Sequence, residues 1–294
     1  MSHIPHFQPK TRKQYFVMMG VLVILTIGTA VGSAVWRFSG TNKARQDAVI
    51  LKATKFHDRD MDDAAIEVLK AAIATEEQKG NGNDPGLVHV FDFLGSLCQL
   101  RGRDAEAEAA WRRALALRLR ELGSEHPEVL DTSDKLAAAL KGQKKYEEAE
   151  KLLKQSLAKR EEYRGSKDDP GLLGSINRLA ELYMSQEKWA EAEEQARRAV
   201  AIGRATMGLV PPSLADSLRD LGAILVAQQK PQEAEPLQRR ALAMREAQTR
   251  RNEIDIRAAC KALAETLRKL GKEKEAKEFE ARAVPPNPSV ELEK

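Results

Sequence analysis

The chain has 294 residues, enough for one or two ordinary domains, with 31% charged and only 5% aromatic residues. Ala, Leu, Glu, Lys and Arg dominate, and clusters of Val, Ile, Thr and Tyr are missing beyond the N-terminal apolar run, which predicts helices and almost no sheet. The formal charge of +4 hides an asymmetry: residues 1–46 hold six basic and no acidic residues, and the remainder holds 42 basic and 44 acidic ones, which excludes the basic footprint of a nucleic-acid binder.

Residues 1–13 read as a basic tail, and residues 14–38 as a transmembrane signal-anchor helix. From Gln14 to Trp36 there are 23 residues without a charge. At about 1.5 Å per residue they make roughly 34 Å of helix, enough for a hydrocarbon core of about 30 Å. Tyr15 and Phe16 flank one end and Trp36 and Phe38 the other, the interfacial place of aromatic rings. The alternative is a cleaved signal peptide with Gly32-Ser33-Ala34 at the cleavage site, leaving a secreted or periplasmic protein. The run exceeds the usual h-region length of about 7–15 residues, which favours the uncleaved anchor. A short tail, one span and a large domain place the N-terminus in the cytoplasm and the helical domain outside it, periplasmic or at the cell surface in a bacterium. Gly28 and Gly32 stand in a GxxxG spacing that would let two spans pack as a homodimer, although glycine is common in membrane helices anyway.

Beyond the span the chain repeats. Pro85, Pro127, Pro170 and Pro212 lie 42 or 43 residues apart. Leu94, Leu136, Leu179, Leu221 and Leu263 keep the step, followed directly by Gly95, Ala137, Ala180, Gly222 and Ala264. Ala107, Ala149, Ala192, Ala234 and Ala276 form a further series, with Glu108, Glu150, Glu193 and Glu235 behind it and Lys277 closing the row. Five repeats therefore start near 85, 127, 170, 212 and 254 and occupy residues 85–284. A degenerate first repeat covers 43–79, with Ala65, Ala72 and Ile73 in register and Asp62 or Asp63 expected to cap its second helix. Residues 80–84 read as a break between repeats. Each unit reads as two helices: in the third, one from Pro127 to about Lys141, a turn over 142–145, and one from about Tyr146 to Tyr163. The small residues let helices approach, and stacking supplies the core that one hairpin lacks. Pro285, Pro286 and Pro288 stop the last helix, and 285–294 reads as a disordered tail.

The repeats resemble the 42-residue tetratricopeptide repeats (TPR) of the kinesin-light-chain type. The resemblance rests on Glu125-His126-Pro127, on Lys145-Tyr146-Glu147-Glu148-Ala149-Glu150 and on residues 233–242, and covers about 85–284. It implies an all-α, right-handed superhelical solenoid of about six hairpins, here preceded by one transmembrane helix. It also implies a concave groove lined by first helices, where positions around the leucine series face a bound peptide. Here those positions hold His89, Asp92, Phe93, Ser96, Asp131, Asp134, Lys135, Asn177, Arg178, Glu181, Arg219 and Asp220. Similar repeats carry an Asn-Asn pair there that holds an extended peptide, and only Asn177 remains. Lys135, Arg178 and Arg219 would suit a carboxylate or acidic peptide.

No nucleophile elbow, P-loop or dinucleotide fingerprint is present, no histidine pair has zinc-helix spacing, and residues 57–63 fail the calcium-loop pattern. Cys98 and Cys260 fall four repeats apart, too far for a disulfide in a stack whose units touch only neighbours. The sequence therefore reads as a membrane-anchored scaffold that binds a protein or peptide partner, with no catalysis, no cofactor, no metal and no nucleic acid. A ligand- or peptide-sensing regulatory role is the alternative.

Overall fold

The computed structural model describes residues 42–205, 212–247 and 253–284. Among them are twelve α-helices and no strand. They are α1 (42–57), α2 (Asp62–Gln78), α3 (Leu87–Leu100), α4 (Asp104–Leu122), α5 (Pro127–Gly142), α6 (Tyr146–Arg164), α7 (Leu173–Ser185), α8 (Trp189–Ala205), α9 (Pro212–Ala227), α10 (Pro231–Glu246), α11 (Glu253–Lys269) and α12 (Glu273–Ala283). The span expected over 14–38, its Gly28 and Gly32 contact and the tail 285–294 lie outside the described residues. No described helix is long and apolar enough to cross a membrane.

The even-numbered helices begin every 42 or 43 residues, and the turn before each of them is the same object. Its closing bond runs from the N–H of the residue before the second helix to a carbonyl five residues back. The pairs are Met61 to Phe56, Arg103 to Cys98, Lys145 to Leu140, Lys188 to Tyr183, Lys230 to Leu225 and Lys272 to Leu267, at 2.8–3.0 Å. This is the 6→1 closure of a Schellman motif, which needs one residue in the left-handed region. That residue is Asp60, Gly102, Lys144, Glu187, Gln229 or Gly271, with φ between 56° and 73°. Only two of the six are glycine. In the third repeat Gly142 is still helical and Lys144 takes the left-handed place.

Two other local expectations change. The fourth repeat opens with a 3-10 turn, Pro170–Leu172, before α7, because the Asp169 carboxylate accepts from Gly171 N at 2.6 Å. At α2 neither aspartate caps: the helix starts behind Met61 without a side-chain cap, and Asp62 instead meets His57 Nδ1 at 2.6 Å.

Contacts divide the chain into two compact units, one ending at Leu94 and one starting at Gly95. The first buries Ala53, Ala65, Ile66, Leu69, Leu87, Val90 and Phe91. In the second each helix from α4 onward packs on its neighbour in the chain, and the first helices also touch in a row, α5 on α7, α7 on α9 and α9 on α11. Leu136, Leu179, Leu221 and Leu263 are all buried there. The glycine after Leu94 and the one after Leu221 face the position sixteen further on. A Cβ at Gly95 would stand 2.5 Å from Trp111 Cε2, and one at Gly222 would stand 2.5 Å from Gln238 Cγ. Where the small residue is Ala137, the facing position holds Leu153. At Gly95 and Gly222 the missing side chain makes room for the large one opposite, as close packing requires.

The glutamate series fastens one repeat to the next. Lys145 Nζ lies 2.7 Å from Glu108, Lys188 3.6 Å from Glu150, Lys230 4.0 Å from Glu193 and Lys272 2.8 Å from Glu235. Each lysine is the residue that closes the following turn. A basic residue one helical turn on completes each site: Arg112, Lys154, Arg197 or Arg239. Burial works against ionisation of Glu108, but Lys145, Gln143 and Arg112 outweigh it and hold its carboxyl down at about 2. Lys154 chiefly lowers Glu150, Lys272 chiefly lowers Glu235, and Arg197 and Gln228 lower Glu193 against its burial.

Candidate functional site

In the second unit the sequence-derived groove positions fall on three successive first helices, α5, α7 and α9. Asp134 on α5 is fully buried and is the centre of the arrangement. Its Oδ2 accepts from Ser175 Oγ at 3.2 Å and from Arg178 Nη1 at 3.2 Å, both on α7, and from Arg160 Nη2 on α6 at 3.3 Å. Its Oδ1 is buried and takes no hydrogen bond, and Arg160 Nε is likewise unsatisfied. Burial pushes the Asp134 carboxyl above its ordinary value, against the pull of Ser156, Arg178, Arg160 and Ser175. Asp131, exposed at the edge, takes the same Arg160 at 2.6 Å.

Asn177 does not stand free for a ligand. Its Nδ2 donates to Ser213 O at 3.0 Å and its Oδ1 accepts from Ser217 Oγ at 2.7 Å, so its amide ties α7 to α9. This repeats the Asp134–Ser175 joint one unit later: a polar residue two before the leucine accepts from a serine four before the next leucine. Gln238 and Thr266 make a further buried joint at 2.5 Å between α10 and α11.

Further along, Arg219 on α9 bonds Asp220 at 2.9 Å and Asp216 at 3.3 Å. Asp220 is buried, and its Oδ2 takes no hydrogen bond. Burial lifts its carboxyl to about 6 against Arg219, and the nearby charge of Glu181 adds to the rise. Glu181 itself receives Lys141 Nζ at 3.0 Å. Arg219 is raised because Asp220, Asp216 and Glu181 together outweigh its own burial. Lys135 does not point at an acid. Its ammonium sits over the Trp111 ring, 4.9 Å from the centroid, a cation–π contact.

The three cations expected to take a carboxylate are thus each held by a group of the protein itself. Arg178 keeps the most solvent contact, with 45% of its side chain exposed. Beside it opens a pocket of about 150 Å³ lined by Asp134, Ala138, Lys141, Leu153, Arg178 and Glu181. The remaining positions are His89, Asp92 and Phe93 in the first unit and Ser96 in the second. His89 and Ser96 are exposed, and Asp92 and Phe93 are half-buried, with Phe93 edge-on to the His57 ring at 6.2 Å. Sequence reasoning missed Lys141, Arg160, Ser175 and Ser217. The signal for the hydroxyls was present, since Thr132, Ser175 and Ser217 keep the repeat step four residues before Leu136, Leu179 and Leu221. Among the described residues no three His, Cys, Asp or Glu side chains are placed to hold a metal ion.

Helical hairpins in register, joined by buried polar pairs and ion-paired turns, define a protein built from stacked two-helix repeats. The family model for the tetratricopeptide repeat matches residues 87–162 and 172–247, together just over half of the sequence. The chain belongs to that family. No curated protein matches it. Among solved structures it is similar to the nearly identical TPR-like repeats of a putative kinesin light chain from Podosopora anserina. That likeness has 28% identity over 68% of this chain and 94% of the other, with a TM-score of 0.53. BtubC (BKLC) from P. vanneervenii shares the fold at 19% identity, over 83% of this chain and 94% of that one, with a TM-score of 0.57. So does NprR in complex with its cognate peptide NprX, at 15% identity over 81% and 65% of the two chains and a TM-score of 0.56.

Proposed function

We propose that this protein is a non-catalytic scaffold that holds a protein or peptide partner along the row of first helices α5, α7 and α9. The observation that carries the reading is the Asp134–Arg178–Glu181 cluster around its small open pocket. Its cations are already balanced by carboxylates, so the row suits a ligand that offers both donors and acceptors, as a peptide main chain does. A purely acidic ligand would have to displace Asp134 or Asp220 from its arginine. The kinship with a peptide-bound fold, NprR with NprX, supports this reading.

The test is a photo-crosslinking amino acid placed at Ala138 in intact cells, compared with one at Arg240. A discrete adduct from position 138 alone, reduced by Arg178→Gln, is the expected result. Equal adducts from both positions would remove the groove from the proposal.

The same proposal places residues 14–38 in a membrane as an uncleaved anchor, N-terminus in the cytoplasm and repeats on the far side. Its support is the run of 23 uncharged residues from Gln14 to Trp36. Protease protection of intact membranes, with mass analysis of the N-terminus, tests sidedness and cleavage together. Cleavage after Ala34, or repeats accessible only from the cytoplasm, would overturn it.

A further inference from the structure

The first unit holds an apolar pocket of about 330 Å³ that the repeat architecture does not use. Its walls come from three helices: Ala48 and Val49 of α1, Ala72 and Thr75 of α2, Leu87 and Val90 of α3. The volume lies in the range of small-molecule sites, about 300–1,000 Å³, which are apolar with a few placed polar groups. One such group is present. Gln46 lines the pocket and is itself 6% exposed, and its Nε2 is buried without a hydrogen-bond partner. The amide packs against the bare backbone of Gly86, with Gln46 Oε1 in the space that a Cβ there would fill. A buried amide N–H left unpaired is costly, so the site is short of one acceptor.

The pocket's charged lining is Arg45 and Lys79 against the single carboxylate of Glu76. Lys79 lies 2.7 Å from Glu76, and Asn81 donates to it at 3.1 Å. Lys79 first and Asn81 next hold the Glu76 carboxyl below its usual range, so it remains an anion and one positive charge is left over.

From this geometry we infer that the pocket binds a single-chain fatty carboxylate, its hydrocarbon against Val49, Ala72, Leu87 and Val90 and its head accepting from Gln46 Nε2 beside Arg45. An apolar body and one anionic acceptor satisfy the three features together: dry walls, an unpaired donor and a surplus cation. A peptide would bring further main-chain groups that these walls cannot pair.

The full chain in phosphatidylcholine nanodiscs is irradiated with a diazirine-bearing dodecanoic acid, and the labelled residues are mapped by mass spectrometry. Label is expected on α1, α2 and α3 at the pocket. Gln46→Leu, which removes the donor at similar volume, should lower it about tenfold, the loss of one bond to a charged acceptor, and Ala72→Phe, which fills the space, should lower it at least as far. Labelling of residues 14–38 serves as the internal reference, and melting curves establish that each variant is folded. Dodecanoate should compete about tenfold better than dodecyltrimethylammonium. Pocket labelling that survives either folded variant, equal competition by the cationic amphiphile, or label confined to residues 14–38 would overturn the inference.

Discussion

Replacing Gly95 by alanine should destabilise the wild-type protein and stabilise a variant in which Trp111 is already leucine. The new Cβ would lie 2.5 Å from Trp111 Cε2 and 2.8 Å from Cδ2 and Cζ2. Carbon atoms rest at about 3.5–4.0 Å, so the overlap is about 1 Å against a rigid indole that is 1% exposed. Such overpacking costs about 1–3 kcal/mol, and removing a glycine from a helix interior returns about 1 kcal/mol, a net loss of up to about 2 kcal/mol. With Trp111→Leu in place the clash is gone and only the helix gain remains. The double variant should therefore be about 1 kcal/mol more stable than Trp111→Leu alone, because it recreates the Ala137–Leu153 pair of the next repeat. Stability of a repeat array is a sum of local terms, so hydrogen exchange of α3 and α4 is the right assay, with denaturant melts beside it. If Gly95→Ala has the same effect in both backgrounds within about 0.5 kcal/mol, the size trade between these positions is refuted.

Glu187→Gly and Gln229→Gly should each stabilise by up to about 1 kcal/mol in denaturant melts, since both positions are left-handed and a side chain there is strained. Asn177→Ala removes two bonds to α9, one of them buried, and should cost about 1–3 kcal/mol, read as faster exchange in α9. The four joint glutamates have depressed carboxyls, so their stabilisation is complete above the unfolded value near 4.5 and is lost as the pH falls below it, through about 2 for Glu108. Melting temperature should drop through that window, and less steeply in Glu108→Gln. Asp220 runs the other way: its raised carboxyl contributes stability that is present below 3.8 and is lost as the pH rises through about 6. Asp220→Asn should remove that part of the profile, and an unchanged profile would count against its burial.

Spacing in the sequence was enough to determine the helical hairpins, their register and the close approach behind each leucine, because every unit must present the same face to its neighbour. It also marked the glutamate row, but not its purpose. The lysines that answer it lie about 37 residues on, and only stacking carries Lys145 to Glu108. For the site, Asp134, Arg178, Glu181 and Asp220 were named from their place in the repeat. Whether a named charge is available depends on what lies across the joint, which one strand of sequence does not show. Arg178 and Arg219 are held by aspartates, Lys135 rests on Trp111, and Asn177 is spent on Ser213 and Ser217. Helix periodicity is a local property and can be read along the chain. Charge pairing and the unpaired amide of Gln46 arise between helices, so tertiary packing alone decided them.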